Sequence, residues 1–156
     1  MPATSRAAVD GFLALKRIAI VGVSSQEKDF SRTIFRKFSE RGYDVVPVNP
    51  AIAEAEGRRC YARLSDVSPA PEGVLLMTPP AVSEQVVDEC VTLGIRNVWL
   101  HRGAGQGAVS IAAVKTCKDH GIDVVAGECP FMFLEGSHFP HKLHLWIKKL
   151  TGSYPQ

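Results

Sequence analysis

One short stretch decides the fold, Arg17-Ile18-Ala19-Ile20-Val21-Gly22-Val23-Ser24-Ser25. Its apolar run continues without a polar residue up to Gly22, which is typical of a strand buried on both faces of a parallel sheet. Glycine lets the backbone turn tightly and come close to a ligand, and the hydroxyl and amide groups that follow are donors for phosphate oxygens. The stretch therefore predicts a buried strand that ends in a ligand-binding turn. A strand–helix corner that needs glycine for packing alone explains the same residues.

Similar apolar runs recur along the chain and alternate with helical patterns. Further strands are predicted at residues 44–48, 73–77, 97–100 and 123–126, and helices at 31–41, 83–93, 108–120 and 140–150. Most of these helical patterns stop at a glycine, which commonly ends a helix. Alternation of this kind predicts an α/β fold. We expect a Rossmann-like, doubly wound, mostly parallel five-stranded sheet with helices on both faces.

Length and composition limit the classes of protein to consider. The 156 residues suit a single domain over 1–156, which we expect to close with the helix at 140–150. A hydrophobic fraction of 46% and a charged fraction of 22% are ordinary for a globular protein. The net charge of +2 is too small to indicate a nucleic-acid partner, and no apolar run is long enough to span a membrane. No secretory signal is recognisable, so we expect a cytoplasmic protein with free thiols at its four cysteines.

Candidate binding residues follow the predicted strands, because ligands of open α/β sheets bind beyond the carboxyl ends of the strands. At the start of the first predicted helix, Ser31 is a candidate cap and Arg32 a candidate phosphate partner. The second strand ends in Val48-Asn49-Pro50 and lacks the acid that usually binds the ribose of NAD. The third ends in Thr78-Pro79-Pro80, a stiff apolar edge better suited to packing beside a ligand than to proton transfer. A helix start set by proline explains that last run equally well.

Several short sequence motifs follow one another between residues 18 and 130. The most specific is Gly42-Tyr43-Asp44-Val45-Val46-Pro47-Val48-Asn49-Pro50, and it is accompanied by Ile20-Val21-Gly22-Val23-Ser24, Thr78-Pro79-Pro80, Trp99-Leu100 and Cys129-Pro130. In these residues the sequence resembles the small stand-alone CoA-binding proteins. Those proteins share their fold with the CoA-binding domain at the start of the succinyl-CoA synthetase alpha subunit. The resemblance implies binding of coenzyme A or an acyl-CoA through the first strand–helix turn.

The resemblance also implies a role for each matched position. Those around the pyrophosphate or ADP would be Gly22, Val23, Ser24 and Ser25, with Ser31 and Arg32 at the first helix. Those bordering the adenosine would be Val48, Asn49 and Pro50, and those flanking the pantetheine arm Thr78, Pro79 and Pro80. Two positions depart from the family pattern: Ala51 replaces a frequent basic residue, and His101 stands where many relatives have glutamine.

No catalytic set is apparent, because the chain lacks a G-x-S-x-G elbow, a P-loop and paired carboxylates at a strand end. We therefore expect binding without catalysis of its own. One alternative is an NAD(P)- or nucleotide-dependent enzyme on the same fold. A second is a metal-binding protein that uses Cys129 with His138, His141 and His144. A third is an interaction module without a small ligand. Cys129 is either a thiol able to form a mixed disulfide with CoA or a small buried residue, and the oligomeric state is left open.

Overall fold

The computed structural model describes residues 4–102 and 107–134. The helices are α1 (Arg6–Leu13), α2 (Phe30–Glu40), α3 (Pro80–Leu93) and α4 (Ile111–Asp119). The strands are β1 (Arg17–Val21), β2 (Asp44–Val48), β3 (Glu54–Ala55), β4 (Arg58–Arg59), β5 (Gly73–Leu76), β6 (Asn97–His101) and β7 (Asp123–Glu128). The helix predicted at 140–150 lies outside the described residues.

The five longer strands form one parallel sheet in the order β2-β1-β5-β6-β7. In its register Val21 lies beside Val48 of β2 and Leu76 of β5, so these three strands end level with one another. The two short strands β3 and β4 pair separately as an antiparallel hairpin after β2. The predicted doubly wound, parallel five-stranded sheet is therefore confirmed.

Helices cover both faces of the sheet, and each face has its own core. Alternate residues of β1 point to opposite faces, so Ile18 and Ile20 belong to one core and Ala19 and Val21 to the other. The core under α1 and α2 contains Val9, Phe12, Ile34, Phe35 and Phe38. The core under α3 and α4 contains Val86, Val87, Cys90, Val114 and Cys117.

The strand order fixes where a ligand would bind. From β1 the chain crosses to β2 on one side, and later from β5 it proceeds through β6 and β7 on the other. The switch point therefore lies between β1 and β5, where the loops that follow the two strands diverge and leave a crevice. The next residues of the two strands, Gly22 and Met77, lie at this point.

Helix α1 is an element that the sequence analysis missed. Ser5 caps it, since its hydroxyl accepts a hydrogen bond from the Ala8 N–H at 3.0 Å. Val9 and Phe12 are buried, and the Phe12 ring packs edge-on against Trp99 with centroids 5.4 Å apart. Thr4, just before α1, also binds the sheet, because its hydroxyl donates to the carbonyl oxygen and accepts from the N–H of Ala126 in the edge strand β7.

Two predicted helix starts need correction. Helix α3 begins at Pro80 rather than at residue 83, since proline is favoured in the first position of a helix. Helix α4 begins at Ile111 rather than at residue 108, because the Ser110 side chain caps it by accepting from the Ala113 N–H. Over the residues that the structure describes, no helix has the length and apolar character needed to cross a membrane.

Candidate functional site

Gly22 forms the turn at the switch point and has the backbone geometry that favours glycine. Its φ is +96°, and its N–H donates to the carbonyl oxygen of Val48 at 3.0 Å. A Cβ at this position would lie 2.4 Å from the backbone oxygen of Met77. The glycine is therefore needed for the close approach of β1 to the end of β5, whether or not a ligand is bound.

The loop that follows is held by its own side chains. The Ser24 N–H donates to Ser31 Oγ at 2.9 Å, and Ser24 Oγ accepts from the Gln26 N–H at 3.0 Å. Ser31 in turn donates from its backbone N–H and its hydroxyl to Asp29 Oδ1, at 2.8 and 2.7 Å. Ser25 is exposed at the tip of the turn. Of Ser24 and Ser25 in the turn after β1, Ser25 is thus the one that faces solvent.

Asp29, and not Ser31, is the N-cap of α2. The prediction that Ser31 caps this helix was wrong, because Ser31 lies two residues inside the helical stretch and donates to the Asp29 carboxylate. Hydrogen bonds from the Ser31 side chain and backbone hold the pKa of Asp29 below its usual range. The start of α2 therefore already carries a negative charge from the protein itself.

Arg32 is tied to the β3–β4 hairpin. Only 6% exposed, it donates from Nε and Nη2 to Glu56 Oε2 at 2.9 and 2.6 Å, and from Nη1 to the Ser24 carbonyl at 3.1 Å. Arg36 reaches the other oxygen of Glu56 at 3.1 Å. In this arrangement the Arg32 guanidinium joins the hairpin to the switch-point turn, and its charge is matched by Glu56.

Asn49 links the two loops at the ends of β1 and β2. Its Nδ2 donates to the Val23 carbonyl at 2.8 Å, while its Oδ1 accepts from the Ala51 N–H at 2.8 Å. The neighbouring Val48 is buried and Pro50 is exposed. The amide side chain of Asn49 therefore supports the shape of this edge.

A cleft of about 320 Å³ opens at the switch point. It is lined by residues 29–31 at the start of α2, by residues 77–79 after β5, by His101 at the end of β6, and by Gly107 and Ala108 beyond it. The structure brings together here Ser31, Thr78 and Pro79 of the predicted site. The other nine predicted site residues are not part of the lining: Gly22, Val23, Ser24, Ser25, Arg32, Val48, Asn49, Pro50 and Pro80. The Thr78 hydroxyl shares a hydrogen bond of 2.8 Å with Ser83, which leaves mainly its apolar part for a ligand.

His101 is a cleft residue that the sequence analysis noted only as a departure from a family pattern. It ends β6 and is 8% exposed, and Phe30 packs against it with ring centroids 5.6 Å apart. Burial lowers the pKa of its imidazole, which favours the neutral form near pH 7. Within the described part of the chain, its Nε2 atom is shielded from solvent and has no hydrogen-bond partner.

The cysteines are free thiols, as predicted. Burial raises the pKa of the Cys129 thiol, which is the opposite of the shift that activates a cysteine. Among residues 4–102 and 107–134, no group of three or more His, Cys, Asp and Glu side chains is arranged to hold a metal ion. The three histidines proposed to join Cys129, at positions 138, 141 and 144, lie outside the described residues.

The fold and the cleft together define a doubly wound α/β domain with a crevice at its switch point. Residues 16–135 match the model of the CoA binding domain family. The match includes every strand of the sheet and every segment of the cleft. The chain belongs to the CoA binding domain family.

Several known proteins are similar to this chain. The uncharacterized protein YneT of Bacillus subtilis is 28% identical over 114 residues, which cover 73% of this chain and 82% of that protein. A hypothetical protein from Pyrococcus horikoshii OT3 has a solved structure with a TM-score of 0.72 and 28% identity, over 79% of this chain and 84% of the other. The ADP-forming acetate–CoA ligase of Methanocaldococcus jannaschii is 27% identical over 81 residues, 52% of this chain but 12% of the ligase.

Proposed function

We propose that the protein binds coenzyme A or an acyl-CoA in the switch-point cleft and has no catalytic activity of its own. The observation that carries the proposal is the position of the cleft. The family match spans the turn at Gly22 and all three segments that line the cleft. Ligands of doubly wound sheets bind at this point.

The cleft is suited to one part of the ligand. Its volume of about 320 Å³ is at the lower end of the range for ligand pockets, roughly 300–1,000 Å³. The apolar surfaces of Met77 and Pro79 favour the pantetheine arm over the charged nucleotide. The pyrophosphate would then lie outside the cleft, over the exposed Ser25 and the turn at Gly22.

Several polar groups of the predicted site already have partners within the protein. Arg32 is paired with Glu56, and Ala51 supplies no charge for the 3′-phosphate. Anion binding would therefore depend on backbone amides near Ser25, and the Asp29 carboxylate opposes it. We expect the pantetheine arm to contribute more of the affinity than the phosphates.

The absence of catalysis is proposed from the chemistry of the cleft. Of the described residues that line it, Asp29 and His101 titrate, and Asp29 is committed to capping α2. The Ser31 hydroxyl is committed to Asp29 and to the Ser24 N–H. None of these contacts pairs a free nucleophile with a base, the arrangement that covalent catalysis requires.

The position of the pyrophosphate can be tested by placing a negative charge at Ser25. Ser25 is exposed, so Ser25→Glu is expected to fold normally and to weaken CoA binding at least tenfold through repulsion of the phosphates. Isothermal titration calorimetry at low salt gives the dissociation constants.

Ser39→Glu is the matched control, because Ser39 is equally exposed on α2 but lies near its other end. This variant should bind CoA as the wild type does. Equal affinity in the Ser25 and Ser39 variants would show that the pyrophosphate does not lie at the turn.

Replacement of Asp29 is expected to strengthen CoA binding, whereas the Ser25 variant weakens it. Asparagine caps a helix about as well as aspartate, so Asp29→Asn should keep α2 and remove a charge that repels phosphate. CoA is expected to bind about threefold more tightly, while stability falls by less than about 1 kcal/mol. The measurements are calorimetric titration and urea unfolding. Asp119→Asn, at the far end of α4, is the control and should leave CoA affinity unchanged; weaker binding by the Asp29 variant would contradict the proposed site.

A further inference from the structure

His101 combines three features that are unusual together. It lines the cleft, it is about nine-tenths buried, and its Nε2 lacks a hydrogen-bond partner among the described residues. A buried polar atom without a partner costs stability, and folded proteins contain few of them. The proposed binding of CoA does not by itself account for such an atom at this position.

The surroundings of His101 show what kind of group would satisfy it. Phe30 packs against the imidazole with ring centroids 5.6 Å apart and is itself 43% exposed, so this contact lies near the surface of the protein. Met77, Pro79 and Ala108 make much of the remaining lining apolar. The polar side chains of Asp29, Ser31 and Thr78 also line the cleft, but they are already hydrogen-bonded within the protein. Among the described lining residues, His101 Nε2 is therefore the polar atom that a ligand segment entering beside Phe30 would find without a partner.

We propose that His101 is the residue that recognises the pantetheine arm, through a hydrogen bond between its Nε2 and one of the two amide groups of the arm. This inference rests on the proposed function. A neutral imidazole carries one donor and one acceptor nitrogen, and an amide offers both an N–H and a carbonyl. An amide therefore satisfies Nε2 in either tautomer, whereas a phosphate can accept but not donate.

The experiment compares ligands with and without the arm. CoA and pantetheine contain it, and adenosine 3′,5′-bisphosphate does not. Each is titrated into the wild type and into His101→Leu, His101→Gln and His120→Leu. His120→Leu is the matched control, since His120 is exposed at the end of α4, just before β7 begins and therefore away from the carboxyl ends of the strands.

The proposal predicts that His101→Leu loses affinity only for the ligands that contain the pantetheine arm. His101→Leu should bind CoA and pantetheine about tenfold more weakly, the effect of one unmade hydrogen bond, and bind the bisphosphate as the wild type does. His101→Gln should keep most of the CoA affinity, because its amide can also donate and accept. His120→Leu should leave the affinities for CoA, pantetheine and the bisphosphate unchanged.

Thermal unfolding without ligand gives a second readout. Because His101→Leu removes a buried polar atom that has no partner, its melting temperature should equal that of the wild type or rise by about 2–4 °C. A melting temperature lowered by several degrees would show that Nε2 already has a partner in the protein and would overturn the proposal.

The outcomes separate this inference from the proposed function. If the wild type binds CoA and His101→Leu binds it equally well, the role of His101 is refuted and CoA binding stands. If His101→Leu weakens CoA and the bisphosphate equally, His101 acts on the site as a whole and the arm contact is refuted. If the folded wild type binds neither CoA nor pantetheine, both proposals fail.

Discussion

Gly22→Ala is expected to destabilise the protein by about 3 kcal/mol or more, several times the effect of Gly42→Ala. The two glycines have nearly the same backbone angle, with φ of +96° and +91°, so both variants carry the strain of an L-residue at positive φ. The two positions differ in the space available for a Cβ atom. A Cβ at Gly22 would lie 2.4 Å from the Met77 carbonyl oxygen, whereas a Cβ at Gly42 would meet nothing within 4 Å. Urea unfolding followed by circular dichroism measures both changes.

Gly42→Ala is the control for backbone strain and should cost about 1 kcal/mol. Equal losses in the two variants would show that the approach of Gly22 to β5 is not tight. The expected result also limits binding experiments. Larger residues at Gly22 would disrupt the strand–strand contact itself, so loss of CoA binding in such a variant would not identify the site. Substitution of the exposed Ser25 avoids this problem.

Glu56→Ala is expected to lower stability by about 3 kcal/mol at neutral pH, because it leaves the buried Arg32 guanidinium without its counter-charge. The Arg32 side chain is 7% exposed and its Nη2 lies 2.6 Å from Glu56. The matched control is Asp10→Ala, which removes an exposed ion pair with Arg6 on α1 and should cost no more than about 0.5 kcal/mol. Similar losses in the two variants would mean that the buried pair contributes no more than a surface pair.

The ion pair between Arg32 and Glu56 also predicts that the stability of the folded state depends on pH. Burial pushes the pKa of Glu56 upward, but the hydrogen bonds and charges of Arg32 and Arg36 outweigh it and hold the pKa below its ordinary value of 4.5. A lowered carboxylate pKa stabilises the folded state fully above pH 4.5 and loses that effect as the pH falls through the lowered pKa. The stability difference between wild type and Glu56→Ala should therefore shrink on acidification to pH 3. A difference that stays constant would contradict this account.

The sequence predicted the longer elements of the fold because their signals are local. Continuous apolar runs marked all five strands of the sheet, and β2 has the predicted bounds of 44–48. The hairpin of β3 and β4 was missed because two-residue strands with mostly exposed side chains have no apolar periodicity. Helix α1 did carry a signal in Ser5, Val9 and Phe12, a cap followed by apolar residues at helical spacing.

The candidate site could be located from the sequence, but the state of its side chains could not. Which strand ends meet at the crevice follows from the topology rule. The partner of Arg32 does not, because Glu56 lies 24 residues away on a hairpin that the sequence did not predict. His101 was also beyond sequence reasoning, since burial and the absence of a partner for Nε2 are properties of three-dimensional packing.

The most direct test of CoA binding is isothermal titration calorimetry of the folded wild-type protein with CoA, beside NAD and ATP. The account predicts one CoA site per chain and at least tenfold weaker binding of NAD and ATP, neither of which carries a pantetheine arm. NAD or ATP binding as tightly as CoA, or no binding of CoA at millimolar concentration, would contradict it.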